Sequence, residues 1–317
     1  DGSALRQRVV DAMDHYQRID RMSDADVARL IREQEIDVLV DLQGQTFGAR
    51  ADILAARPAP VQITYLGLPA TTGFPFIDYV IADEYLIPPQ YAPYYSEKPL
   101  YMPDIYQVSD RKRVIDEAPS RESVGLPEQG FVFCSFNNNY KFTPRMFDVW
   151  MNILRRVPDS VLWLLSDNPW AEANLRKEAE QRGVDGQRLV FATRTWPGMF
   201  LARLGMADLF LDSFPFNAGT TANDALWAGL PLVTCSGRSF AARMAGALLT
   251  AAGLPELIST DLQDYEEKAV ALAQAPQELQ RLRGVLAEVK ERGALFDTAR
   301  FARNLEQRFK ELVGALG

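Results

Sequence analysis

The sequence predicts an α/β protein: two doubly wound, parallel-sheet domains facing a cleft, closed by a helical tail. Three observations carry this. Short β-branched apolar runs alternate with amphipathic helical stretches along most of the chain. A length of 317 residues suits two domains of about 100–200 residues each better than one. A stretch rich in proline and charge, Tyr101 to Glu128, reads as a linker between two such series, so the domains are expected at 1–120 and 121–317.

In the first series, Ala25 to Glu33 is an amphipathic helix with Val27, Leu30 and Ile31 on one face. It leads into Ile36 to Leu42, a run suited to a buried parallel strand. Further strands are expected at Val61 to Leu66 and Tyr79 to Ala82, with a helix around Asp52 to Ala56 and a breaker at Arg57-Pro58-Ala59-Pro60 between them. The second series has apolar runs at Phe131 to Phe136, Val161 to Leu165, Leu189 to Phe191, Leu209 to Leu211, Leu232 to Cys235 and Leu257-Ile258. Helices are expected between them at Arg145 to Arg156, Ala171 to Arg182, Phe200 to Met206, Thr221 to Ala228 and Phe240 to Ala252. From Tyr265 to Leu316 the pattern is helical and heavily charged. Right-handed βα units of this kind build parallel sheets that bind ligands at the carboxyl ends of their strands.

Composition removes several function classes. A net charge of −8 argues against a nucleic-acid binder, which needs a basic face. Cys134 and Cys235 lie inside apolar runs with no metal spacing, as buried thiols of a reducing cytoplasm. The longest apolar runs are too short to cross a bilayer, so no membrane partner is expected. His15 is the single histidine, which excludes a His-based zinc site and a Ser-His-Asp triad. It reads as a structural residue near a strand start, and any general base is a carboxylate, a tyrosine, water or the substrate.

The most informative segment runs from Phe214 to Trp227, joining the apolar run that ends at Asp212 to a helix that closes with Ala228-Gly229-Leu230-Pro231. A helix N-terminus offers free N–H groups and partial positive charge, which suits a phosphate. Gly219 permits close approach, Thr220 and Thr221 are suited to cap the helix and donate to phosphate oxygens, and Asp224 follows one turn later, suited to a ribose hydroxyl. On local pattern alone, the segment reads equally as a plain strand–loop–helix connection. A second phosphate-suited feature tilts the reading. Phe136-Asn137-Asn138-Asn139-Tyr140-Lys141 follows a strand and opens a helix, placing Lys141 at a cleft edge where it can neutralise a diphosphate leaving group.

These two segments resemble the catalytic region of protein O-GlcNAc transferases. So do Val157 to Leu165, Gly44 to Arg50, Arg57 to Gln62, Tyr65 to Gly73 and Tyr94 to Lys98, and the match follows the family order over nearly the whole chain. The resemblance implies a GT-B fold and inverting, metal-independent transfer from UDP-N-acetylglucosamine to Ser or Thr of a protein acceptor, with no cofactor. It implies Lys141 at the diphosphate, Asn138 where the family has glutamine, and Thr220 and Thr221 at the phosphates. Asp224 is implied at the ribose, the backbone at Arg194 and Thr195 around the uracil, and Arg203 lining the same pocket. Leu66, Gly67 and Pro69 are implied at the donor sugar, with Thr46 and Arg50 on the acceptor side.

The chain departs from the family pattern in three places. Gly219 stands where the family often has histidine, as in related bacterial sequences and the fucosyltransferase branch; GDP-fucose is therefore an alternative donor. A lysine and a histidine near the uridine of animal enzymes fall at Pro197 and Phe200, leaving Phe200 or Trp196 to stack on a base. The chain starts at Asp1-Gly2-Ser3, inside the first lobe, after the family's Asp-Phe-x-x-His-Pro strand and its upstream tetratricopeptide repeats, and carries no helical repeat of about 34 residues. From this the first lobe is expected to be truncated, and a non-catalytic nucleotide-sugar-binding fragment is the reading from another class.

Overall fold

The computed structural model describes residues 2–315; Asp1 and Leu316, at the limits of two sequence expectations, lie outside them. The first lobe holds α1 (Ala4–Asp11), α2 (Asp24–Glu33), β1 (Val38–Asp41), α3 (Ala51–Ala55), β2 (Val61–Thr64), β3 (Tyr79–Ala82) and β4 (Lys98–Tyr101). Its four strands lie in the order β1-β2-β3-β4 and every pair is parallel. Parallel strands need cover on both faces, and buried Val61, Ile63, Val80 and Ile81 mark the interior of this sheet. β1 is an edge strand and only half-buried throughout.

The second lobe runs β5 (Val132–Ser135), α4 (Pro144–Arg156), β6 (Val161–Leu165), α5 (Pro169–Gln181), β7 (Leu189–Ala192), α6 (Pro197–Leu204), β8 (Leu209–Leu211), α7 (Thr220–Trp227), β9 (Leu232–Cys235), α8 (Met244–Ala251) and β10 (Ile258–Ser259). Its sheet order is β10-β9-β8-β5-β6-β7. From β5 the chain winds one way through β6 and β7, and then the other way from β8. The crevice between the carboxyl ends of β5 and β8 is therefore the topological switch point, where doubly wound sheets receive ligands. Trp150 of α4 is wholly buried, as are Phe133, Trp163 and Phe210 in the sheet itself.

Three helices complete the chain, α9 (Leu262–Ala273), α10 (Pro276–Arg292) and α11 (Thr298–Gly314). The last returns to the first lobe. Arg308 Nε donates to the Tyr101 carbonyl at 3.0 Å, Arg300 pairs with Asp104 at 2.6 Å, and the Phe301 ring stacks on Tyr65 with centroids 6.4 Å apart. The lobes also meet at Tyr85, whose hydroxyl lies 2.8 Å from Ser236 Oγ and whose ring carries the Arg243 guanidinium at 4.4 Å.

Several expectations need correction. β4, a strand not expected from the sequence, pairs with β3 and ends at Tyr101, the first residue of the stretch read as linker. Just after β4 the stretch stays on the first lobe, Met102 N–H donating to the Ala82 carbonyl at 2.8 Å and Tyr106 N–H to Asp83 at 2.9 Å; further on it docks on the second, Asp116 N–H donating to the Gly198 carbonyl at 3.2 Å. The helix expected over Phe240 to Ala252 is broken into a 3-10 turn, Phe240–Ala242, and α8. Ser239 caps the turn and Arg243 leaves helical geometry at φ −128° and ψ −6°, its Nε donating to the Tyr85 carbonyl. His15 is exposed in irregular chain between α1 and α2, not beside a strand.

Candidate functional site

The loop after β5 turns outward at Asn137, which is buried and donates through Nδ2 to Ser213 Oγ at 3.0 Å. Asn138 opens a 3-10 turn, Asn139–Lys141, and its Oδ1 accepts from Arg194 at 2.7 Å. That turn delivers Lys141 to the crevice. Its Nζ donates to the Asn217 carbonyl at 3.1 Å and lies 4.3 Å from the centre of the Phe216 ring. Burial lowers the lysine's pKa, and the nearby negative charge of Asp212 partly opposes this. The ammonium is thus pinned by one carbonyl and one ring face, and among the described residues no carboxylate is salt-bridged to it.

The loop after β8 is organised by Asp212, which is wholly buried. Its carboxylate accepts from Thr234 Oγ1 at 2.6 Å, Ala218 N–H at 2.7 Å and Ser213 N–H at 2.8 Å. Asn217 is fixed in turn, its Nδ2 donating to the Ser213 carbonyl at 2.9 Å. The loop ends at Gly219, the N-cap of α7, where no side chain caps the helix. The capping expected of Thr220 and Thr221 is therefore corrected: both sit inside the first turn, and its N–H groups are left to an outside acceptor. A Cβ at Gly219 would meet Met244 Sδ at 3.4 Å and the Tyr106 hydroxyl at 4.0 Å, so these two side chains wall the position.

Between these loops lies a cavity of about 430 Å³. Seven of the expected residues line it together: Asn138, Lys141, Arg194, Thr195, Arg203, Thr221 and Asp224. Gly219 and Thr220 adjoin it at the start of α7. Arg203 Nη1 donates to the Thr193 carbonyl at 2.7 Å and so braces the 193–195 loop. Of the two aromatic residues expected to stack on a base, Phe200 forms part of the wall, packed on Phe136 at 5.8 Å. Trp196 does not; it is 61% exposed and its indole N–H goes to Asp116.

The model of glycosyl transferase family 41 matches residues 1–121 and 117–305. This chain belongs to that family. It is 40% identical over 316 residues to the probable UDP-N-acetylglucosamine–peptide N-acetylglucosaminyltransferase SEC of Arabidopsis thaliana, covering 98% of this chain and 32% of that protein. It is 33% identical to a probable UDP-N-acetylglucosamine–peptide N-acetylglucosaminyltransferase SPINDLY of Petunia hybrida, covering 90% of this chain and 31% of that one. A variant of the O-GlcNAc transferase of Thermobaculum terrenum superposes with a TM-score of 0.90 at 30% identity, covering 100% of this chain and 61% of that one. The chain thus spans about a third of the length of the curated relatives it matches. The fold is GT-B, as in those glycosyltransferases.

In this family 41 chain, the remaining expected residues stand apart from the cavity, on the loops after β1 and β2. Leu66 has φ 62° and Gly67 packs directly on Gln43 and Gly44. A Cβ at Gly67 would lie 2.4 Å from the Gln43 carbonyl carbon and 2.8 Å from the Gly44 nitrogen, backbone atoms that cannot swing aside. Gly67→Ala is accordingly expected to cost about 2 kcal/mol and to part the two loops, read by urea unfolding; an unchanged midpoint would refute the close packing. Pro69 is half-buried on the same loop. Thr46 Oγ1 donates to the Gln43 carbonyl at 2.7 Å. Arg50 is not free: it pairs with Asp24 at 2.5 Å and donates to the carbonyls of Ile19 and Met22 at 2.9 and 2.7 Å.

Two residues of the site escaped the sequence. Asp212 read as the last residue of a strand, and its only signal was a carboxylate closing an apolar run. Arg113, paired with Asp224, had none. Among the described residues, no three His, Cys, Asp or Glu side chains gather as a metal-holding group, and no helix is long and apolar enough to cross a membrane.

Proposed function

We propose that this chain carries the catalytic region of an inverting, cytoplasmic glycosyltransferase that moves N-acetylglucosamine from UDP-N-acetylglucosamine to Ser or Thr hydroxyls of proteins. One observation supports this above others: a lysine with no salt-bridged carboxylate among the described residues and an uncapped helix N-terminus converge at the switch-point cavity. In the reaction, the acceptor hydroxyl oxygen forms a bond to the anomeric carbon as the bond from that carbon to the phosphate oxygen breaks on the opposite face, and the hydroxyl proton passes to water or to the departing diphosphate. UDP leaves with one more negative charge than it carried as an ester. Lys141 and the first-turn N–H groups of Thr220 and Thr221 offer positive charge where that charge grows, the part a divalent metal plays in other transferases. Asp224 takes the ribose hydroxyls, Phe200 and the 194–195 backbone hold the base, and Arg203 keeps that loop in place. Leu66, Gly67 and Pro69 face the donor sugar from the first lobe. Thr46 stands on the acceptor side, its loop anchored by Arg50. The names of the relatives carry the same donor and a peptide acceptor, and the buried, unpaired Cys134 and Cys235 suit a reducing compartment.

A second reading, transfer of fucose from GDP-fucose, is favoured by Gly219 alone. Met244 and Tyr106 occupy the surroundings of the side chain missing there, which changes the wall beside the donor sugar. Calorimetric titration with UDP and with GDP separates the two. Binding of UDP without GDP is the expected result. A preference for GDP would move the assignment to fucosyl transfer, and a folded chain binding neither would remove the nucleotide site.

A further inference from the structure

The segment between the two sheets takes no part in the roles given above, yet it reaches the cavity from behind. Arg113 is held at three points: Nε donates to the Asp110 carbonyl at 2.9 Å, Nη2 to Asn223 Oδ1 at 3.1 Å, and Nη1 pairs with Asp224 Oδ1. Its guanidinium carbon stands 5.0 Å from the centre of the Trp227 ring. Arg113 does not line the cavity; Asp224 does. The second carboxylate oxygen of Asp224 takes no hydrogen bond from the described residues. Arg113 and Asp224 are both largely shielded, at 20% and 17% side-chain exposure.

We propose that Arg113 is a positioning residue for the nucleotide: by gripping one oxygen of Asp224 from outside the cavity, it turns the other toward a ribose hydroxyl. This rests on the nucleotide reading of the cavity. The planar fork matters because it fixes direction as well as charge, binding Asp224 and its neighbour Asn223 on successive residues of α7. Burial raises the pKa of Asp224, and Arg113 is the group that opposes it. The other charges at this place are Asp110, beside Arg113 and itself paired with Arg8 at 2.6 Å, and Lys290 of α10, 4.3 Å from the Trp227 ring and repelling Arg113. Ser109 Oγ also donates to Asn223 Oδ1. Since Ser109, Asp110 and Arg113 belong to one segment, its docking and ribose binding strengthen each other by the same factor.

The test is a cycle of UDP titrations on the wild-type chain, Arg113→Gln, Asp224→Asn and the double variant, between about pH 5.5 and 8.5. Arg113→Gln is expected to weaken UDP about tenfold near neutral pH. The deficit should widen as pH falls, because an unopposed Asp224 takes up its proton at higher pH. In the Asp224→Asn background the same substitution should change nothing further. An equal loss in both backgrounds would overturn the proposal, as would tighter UDP binding by Arg113→Gln, the mark of a blocking residue. Wild-type binding left unchanged by Arg113→Gln would overturn it alone; a wild-type chain that binds no UDP at any pH would overturn the nucleotide reading beneath it. Should Arg113→Gln fail to fold, Arg113→Lys serves in the same cycle. It retains the charge but not the fork, and its affinity should fall while its pH profile stays near that of the wild type.

Discussion

Lys141→Ala is expected to slow glycosyl transfer about a thousandfold while leaving UDP-sugar affinity within a few-fold. The ground-state diphosphate is already an anion with solvent around it, whereas the departing UDP gains charge in a cavity where Lys141 is held ready. The hold is physical: a carbonyl at 3.1 Å and a ring face at 4.3 Å keep the ammonium in place, and neither cancels its charge. Burial lowers the pKa of this lysine from the ordinary 10.5. Its proton is therefore lost at a lower pH than from an exposed lysine, so transfer should fall on an alkaline limb placed below that value. Lys141→Arg, which stays charged throughout, should lack the limb. Single-turnover rates and UDP-sugar titrations across pH check both statements. Equal losses in rate and affinity would mean that Lys141 serves only ground-state binding.

Asp212→Ala should be the most damaging change that touches no ligand. It would strip the acceptor from the Ser213 and Ala218 N–H groups and the Thr234 hydroxyl, all buried, at a cost of about 3 kcal/mol. The 213–219 loop would lose its anchor at the end of β8, and with it both the Asn217 carbonyl that holds Lys141 and the approach to α7. UDP binding should fail along with stability. Burial pushes the Asp212 carboxyl up to about 6, against 3.8 for the ordinary group. Because the folded pKa is the higher one, this group's stabilising contribution is complete below pH 3.8 and is lost as pH rises through about 6. Asp212→Asn should remove that slope from the dependence of unfolding free energy on pH. A variant with wild-type melting temperature and UDP affinity would sink the organising role.

What was legible in the sequence follows from how local its cause is. β5, β6, β8 and β9 announce themselves as apolar runs because a parallel strand is buried on both faces. Lys141, Thr221 and Asp224 were visible because a strand-to-helix loop places nearby residues in one crevice. β4 was hidden by its own composition: Lys98 and Pro99 break the apolar pattern, which only an edge position tolerates. Arg113 was hidden by distance, since its partner Asp224 lies 111 residues further along and nothing short of the fold joins them. The break before α8 had the same kind of cause, Arg243 being drawn to Tyr85 across the lobe boundary.

The return of α11 to the first lobe has a consequence for how the protein is made. Strands β1 to β4 leave the ribosome well before α11, but Tyr65, Tyr101 and Asp104 meet their partners only when Phe301, Arg308 and Arg300 have been synthesised. The first sheet must therefore wait, half-covered, through the translation of some two hundred residues, in this case the 196 that separate Asp104 from Arg300. Folding of the two lobes is coupled late and over a long separation, the condition under which chains depend most on chaperones. Nascent chains stalled before α11 should be cut by protease in the first lobe while the second is already protected.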